Sequence, residues 1–182
     1  MIIVAITGAS GVIYALKFLE ALKRLGVKTG LVISDPGKIV IGEELDLSVS
    51  ALEDLADEVF DFNDLTASIN SGSFKFRGLV IVPCSMKTLS SIANGFADNT
   101  ISRVGDVALK EHRKMVIVPR ETPLRSVHIE NMLKISREGG IVLPAMPAYY
   151  HGVESLEDIY DFMVGKILDA LDINNNEFKR WE

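Results

Sequence analysis

The sequence predicts a three-layer α/β domain, doubly wound around a mainly parallel sheet, and three observations carry that expectation. Short apolar runs recur without polar alternation, at 2–6 (IIVAI), 31–33 (LVI), 79–83 (LVIVP), 115–119 (MVIVP) and 141–144 (IVLP). A strand that is apolar throughout is buried on both faces, which is the pattern of a parallel sheet. Helical spacings fill the intervals between the runs, and loops rich in glycine and hydroxyls follow the runs, where ligands of open α/β sheets sit.

Each element has its own signal. In the first helix Val12, Ile13, Leu16, Leu19 and Leu22 share a face, and Gly26 is the expected stop. A helix begins close after Pro83, and a third, after Asn99, carries Ile101, Val104 and Ala108; the glycine pair at 139 and 140 closes a helix before the last strand. The final helix opens at SLED, where Ser155 and Asp158 form an acidic variant of a capping box, and continues through Ile159, Phe162, Met163 and Ile167. No internal repeat or linker divides the chain, so residues 1–182 read as one domain. The polar tail from about residue 173 holds Phe178 and Trp181, which suggests docking on this subunit or, as we expect, on a neighbouring one.

Composition excludes several classes. With 24% charged residues and a net charge of -6, the chain has no electrostatic footprint for nucleic acid. One cysteine, Cys84, rules out an internal disulfide and fits a reducing cytoplasm. The first apolar run is short and lacks a basic flank, so it reads as a strand rather than a signal peptide, and no run reaches the roughly 20 residues that span a bilayer.

The loop TGASGVIY is laid out as strand, tight turn and helix, as phosphate-binding loops are. It lacks both the Gly-Lys-Ser/Thr end of a Walker loop and the third glycine of a dinucleotide fingerprint. It partly imitates a short-chain dehydrogenase, but none of Tyr14, Tyr149, Tyr150 and Tyr160 has lysine four residues later. Two readings stay open: a tight turn that needs glycine at Gly8 and Gly11, or backbone amides and the Ser10 hydroxyl meeting a phosphate or a flavin edge. In PCSMKTLSSIANG, Ser85 and Thr88 equally suit a helix cap or a ligand, and Cys84 reads as a small buried apolar residue rather than a nucleophile. SINSGSF (68–74) is a polar loop or mere connection.

The segment ISRVGDVALKEHRKMVIVPRETP places Arg103, Asp106 and Lys110 on one helical stripe. Its plainer reading is a solvated ion-pair face. Against that, Arg120 and Glu121 directly follow a buried strand at the functional edge. With Lys166, which also fits a snorkelling lysine, they suggest cations converging on one edge. A dianion needs such cations, because a helix terminus contributes only about 0.3–1 kcal/mol while burying an ion costs several times that. His112, His128 and His151 lack metal-ligand spacing, and DFND at 61–64 is not a doubled aspartate-rich motif, so no metal is expected.

Taken together, TGASGVIY, ASINSGSF, VPCSMKTLS, DVALKEHRKMVIVPRETPL, ENMLK and PAYYHGVESLEDI resemble the UbiX flavin prenyltransferases almost from end to end. The resemblance implies transfer of a dimethylallyl group from dimethylallyl monophosphate to N5 and C6 of reduced FMN, giving prenylated FMN for a UbiD-type decarboxylase. It places FMN against Gly8, Ala9, Ser10, Ser34, Ser85, Met86, Lys87, Thr88 and Arg120. The prenyl phosphate falls to Arg103, Lys110, Arg120, Tyr150 and Lys166, with Ser71 close by. Ser10, near flavin N5, and Glu121, near the leaving phosphate, become the proton-handling residues, and Glu44 orients Lys110. Some relatives carry arginine where this chain has Lys166, which keeps the charge but not the bidentate fork. A cytoplasmic homododecamer is implied. The rival readings are an FMN-dependent cysteine decarboxylase of the same fold, which would not need the four cations, and a non-catalytic flavin carrier.

Overall fold

The computed structural model describes residues 1–150 and 152–181. Its elements run β1 (Ile2–Ile6), α1 (Val12–Arg24), β2 (Thr29–Ile33), α2 (Asp35–Glu44), α3 (Val49–Glu53) and β3 (Glu58–Phe60). A short 3-10 turn (Ser68–Asn70) precedes β4 (Gly78–Cys84), α4 (Met86–Ala93), α5 (Thr100–Lys110), β5 (Lys114–Pro119), α6 (Ser126–Arg137), β6 (Ile141–Val142) and α7 (Leu156–Ala170). The sheet order is β3-β2-β1-β4-β5-β6, and every described pairing is parallel.

The continuous apolar strands follow from two cores, one on each side of the sheet. Ile2, Val4 and Ile6 of β1 join Val80 and Val82 of β4 against α1 and α7. The alternate residues Ile3, Ala5, Leu79 and Ile81 face α4, α5 and α6. Alternation of side chains along the central strands β1 and β4 thus feeds both layers, which leaves no position in them for a charged residue.

Helix ends follow the sequence signals. α1 stops two residues before Gly26, whose φ of 65° is the left-handed conformation that closes a helix. Asn99 with Ser102 and Ser155 with Asp158 form reciprocal capping boxes on α5 and α7. Three elements had no expectation: β3, α2 and α3.

The chain reverses winding direction between β1 and β4. Their carboxyl ends flank the topological switch point, where open α/β sheets bind ligands. The loops TGASG and PCSMKT lie there.

The tail folds back on its own chain. Ile173 and Asn175 are buried, Phe178 packs into a notch at Gly165, and Arg180 forms a two-pronged pair with Asp169 at 2.8 and 3.0 Å. Trp181 at its outer end is 77% exposed, so any docking on a neighbouring subunit falls to that end.

Candidate active site

The two switch-point loops are stapled by a residue that sequence reading passed over. Thr7, buried at the end of β1, donates its hydroxyl to Pro83 O at 2.8 Å and accepts the Ser85 amide at 2.8 Å. Both hydrogen-bonding capacities of one side chain therefore fix the two loops relative to each other. The signal was a lone threonine closing an apolar run, which marks a polar residue forced to find partners inside.

Gly8 and Gly11 are both needed by the turn. A Cβ at Gly8 would stand 2.4 Å from the Pro36 Cβ, so only glycine lets the loop pass the start of α2. Gly11 has φ of 103° and caps α1 without a side chain. The cap is supplied from α2: Glu44 Oε2 accepts the Gly11 and Val12 amides at 2.8 and 3.1 Å. Burial alone would raise the Glu44 carboxyl, but hydrogen bonds from Ser10, Gly11 and Val12 and the nearby Arg120 charge outweigh it and hold the group below its ordinary value. Arg120 closes the other side, donating Nε to Ser10 O at 3.1 Å.

This narrows the alternatives left open for the loop. The leading amides of α1 are occupied by a carboxylate of the same chain, so this tip offers no phosphate seat; what it presents is the Ser10 side chain and backbone beside Arg120. Glu44 is also not paired with Lys110 within the chain, whose ammonium meets Glu111 at 3.2 Å instead.

The start of α4 differs. Ser85 caps it through Thr88 N and also bonds the Thr88 hydroxyl at 3.1 Å. The amides of Met86 and Lys87 have no intrahelical acceptor by their position, and the Lys87 side chain is exposed. Ser34, buried, caps α2 through Gly37 N at 3.0 Å. Hydroxyls, open amides and a cation at α4 suit the phosphate end of a mononucleotide, and the neutral turn at Gly8–Ser10 suits the edge of its ring, so the residues present fit FMN.

Beside Ser10 and Arg120 opens a cleft of about 660 Å³, lined also by Ile13, Tyr14, Glu44, Leu156 and Tyr160. Tyr14 meets Tyr160 edge-on with ring centroids 5.8 Å apart, and burial, then the Tyr160 and Tyr149 phenols, push its own phenol up from 10.0. Tyr14 and Tyr160 entered sequence reading only as failed dehydrogenase candidates, yet both wall this cleft. A larger cleft of about 950 Å³ lies between Arg24, Asp161 and the tail, away from the strand ends. Glu121 is exposed at the same edge as Arg120 and accepts the Thr122 amide at 2.9 Å.

The remaining predicted residues do not join this group within one chain. Arg103 pairs with Asp106 at 2.8 Å on the outer face of α5, as the plainer reading expects. Lys110 ends α5 beside Gly72 of the SGS loop, which Arg113 fixes by bonding the Gly72 and Phe74 carbonyls. Ser71, in that loop, bonds Ser73. The length of β5, roughly 20 Å, separates this end of α5 from Arg120. Lys166 is exposed on α7, about 15 Å along the helix from Leu156, and α7 packs on the opposite face of the sheet from α5. Tyr150 lies between Phe162 and Trp181 and meets each ring edge-on. The cations expected on one edge are therefore distributed over three surfaces of the protomer.

Cys84 is fully buried, and burial pushes its thiol up to about 12, so it stays a neutral core group. Among the described residues no three His, Cys, Asp or Glu side chains gather where they could hold a metal. His151 lies outside the described residues. No described helix is long and apolar enough to cross a membrane.

Residues 1–168 match the Flavoprotein family. Over its whole length the chain is 60% identical to the flavin prenyltransferase UbiX of Methanothermobacter thermautotrophicus, of which it covers 95%. The solved structure of AnUbiX (PadA1) in complex with FMN and dimethylallyl pyrophosphate superposes with a TM-score of 0.98 at 46% identity, covering 100% of this chain and 96% of that one. A dodecameric FMN-dependent UbiX-like decarboxylase from Escherichia coli O157:H7 superposes with a TM-score of 0.97 at 42% identity, covering 100% and 98%.

Proposed function

The chain belongs to the flavoprotein family, among its UbiX flavin prenyltransferases, and we propose that it performs their reaction at the β1–β4 switch point, with the residues assigned below. The observation that carries this reading is whole-length agreement with a structure that holds FMN and dimethylallyl pyrophosphate. When bound in reduced form, FMN supplies N5 and C6 as the atoms that receive the dimethylallyl group.

The protein's part is binding, neutralisation and proton handling. Gly8, Ala9 and Ser10 take the flavin edge, while Ser34 and the Ser85–Thr88 turn, with Met86 and Lys87, take its phosphate end. Arg120 stands between flavin and prenyl phosphate. Arg103, Lys110, Arg120, Tyr150 and Lys166, with Ser71, hold the departing phosphate, whose growing negative charge is the species that fixed cations stabilise best. Glu121 handles the proton at the phosphate, and Ser10, hydrogen-bonded to an ionised Glu44, handles the proton at flavin N5. Tyr14, Tyr160 and Leu156 keep water from the allylic carbon.

Because α5 and α7 lie on opposite faces of the sheet, one protomer cannot bring all these cations to Arg120. We propose that a homo-oligomer, a dodecamer like its Escherichia coli relative, completes the site, with the exposed end of the tail at a subunit contact. The product is passed to a UbiD-type decarboxylase in the cytoplasm, and the cations make a metal unnecessary.

Anaerobic incubation with reduced FMN and dimethylallyl monophosphate or diphosphate, followed by mass measurement of the flavin, tests the reading. The expected outcome is a flavin heavier by one dimethylallyl unit, with turnover unchanged by EDTA. Bound flavin of unchanged mass with either donor would make the protein a carrier.

A further inference from the structure

Beyond assigning Tyr150 to the prenyl phosphate, we propose that the C-terminal tail is a positioning device for Tyr150, anchored at Gly165 and ending in Trp181. This rests on the functional reading above.

The argument starts from the anchor. Gly165 lies buried inside α7, where alanine is the better helix former. Glycine is explained there by what lies over it: a Cβ would stand 2.4 Å from the Phe178 ring and 3.2 Å from Asn175 Oδ1. The notch seats the tail. Asn175 Nδ2 then bonds Asp169 at 3.0 Å and Ile173 O at 3.1 Å, and its Oδ1 accepts the Glu177 amide at 3.3 Å. Glu177 is bound by Arg24 from α1 at 2.6 Å, and Arg180 grips Asp169 with two hydrogen bonds. The Arg180 partner holds the Asp169 carboxyl below its ordinary range.

So much fixation would be surplus for a polar tail with nothing to deliver. Its last described residue, Trp181, meets the Tyr150 ring edge-on at 5.3 Å, while Phe162, one turn from Gly165, meets the other side of Tyr150 at 6.0 Å and Phe178 at 4.9 Å. Tyr150 is thereby clamped between a helix residue and a tail residue that share one anchor. The stretch that carries it, residues 143–150, has no regular secondary structure of its own, and the two rings packed on either side hold the Tyr150 ring in place. Trp181 and Phe178 act through Tyr150; they are positioning residues.

Trp181 is the only tryptophan, so its fluorescence anisotropy reports tail docking directly. The test compares wild type with Gly165→Ala, Phe178→Ala and the conservative Phe178→Leu, measuring anisotropy, FMN affinity and KM and kcat for dimethylallyl monophosphate. Gly165→Ala and Phe178→Ala are expected to lower anisotropy and raise KM by about tenfold, with FMN affinity within about twofold of wild type, while Phe178→Leu stays near wild type. A released tail with unchanged KM would overturn the proposal, as would unchanged anisotropy in both variants or parallel loss of FMN affinity. A wild-type protein that forms no prenylated flavin would remove the functional reading and this one with it.

Discussion

Glu44 does at the tip of α1 what a bound anion does in many nucleotide folds: one oxygen takes two amides that the helix cannot satisfy itself. Its carboxyl is held below 4.5, so it contributes stability that is complete above about pH 5 and is lost as pH falls through the lowered value. Glu44→Gln should therefore be less stable than wild type by about 1 kcal/mol at neutral pH, the usual worth of a helix cap. The gap should narrow in urea titrations at acid pH, as the wild-type carboxyl becomes protonated too. A gap that is the same at both pH values would mean that charge is not what the helix tip reads. Lys110 is a different case, because its near partner Glu111 is an exposed neighbour. Such pairs contribute about 0–1 kcal/mol, so Lys110→Met should melt like wild type and bind FMN normally. If it holds the leaving phosphate, single-turnover prenylation should fall by about a hundredfold. A mutant that prenylates at the wild-type rate would leave only the solvated stripe.

The elements that build the site were unevenly legible. β1, β4 and β5 are buried on both faces and announced themselves by composition alone, as did α1 and α7 by their apolar spacing and caps. β3 escaped because it is a three-residue edge strand without a fully buried side chain. α2 escaped because only Gly37 and Ile41 are buried, which leaves no stripe to read, although Ser34-Asp35-Pro36 is a start signal in its own right. Its loss hid the cap on α1, since Glu44 reaches Gly11 only once α2 is folded. For the same reason spacing could suggest a phosphate at α1 but not that the tip was already filled. The site motifs were read from local sequence; what joins them is tertiary, and Thr7 is the clearest instance. Thr7→Val keeps the shape but strips the Ser85 amide of its acceptor, which costs about 1–3 kcal/mol when the group stays buried. Thr7→Ser should melt near wild type and bind FMN normally. Thr7→Val should lose both stability and FMN affinity, measured by thermal melts and flavin titration, because the α4 turn is no longer held against β1.

At the scale of the whole molecule the sheet itself divides the predicted machinery. Arg120 and Ser10 sit at the strand ends, Arg103 and Lys110 ride on α5 over one face, and Lys166 rides on α7 over the other. A rigid doubly wound domain has no motion that carries a residue from one face to the other, so a phosphate that meets all of them must lie where different copies of the chain come together. Symmetric assembly supplies such points, because every copy presents each of the three surfaces in the same geometry. Subunit mixing tests this. Arg120→Met and Lys110→Met chains are each expected to assemble and each to be nearly inactive alone. Coexpressed in equal amounts and randomly mixed, they meet at sites that draw Arg120 from one chain and Lys110 from another. Each contribution is intact half the time, so about a quarter of sites carry both residues, and the mixture should recover about a quarter of wild-type prenylation per site. If one chain supplied both residues, every site would hold one defect or the other and the mixture would be as inactive as its components. Recovered activity on mixing thus reads out the composite site directly, and its absence in demonstrably mixed oligomers would confine catalysis to the cleft between Ser10 and Arg120 of a single protomer.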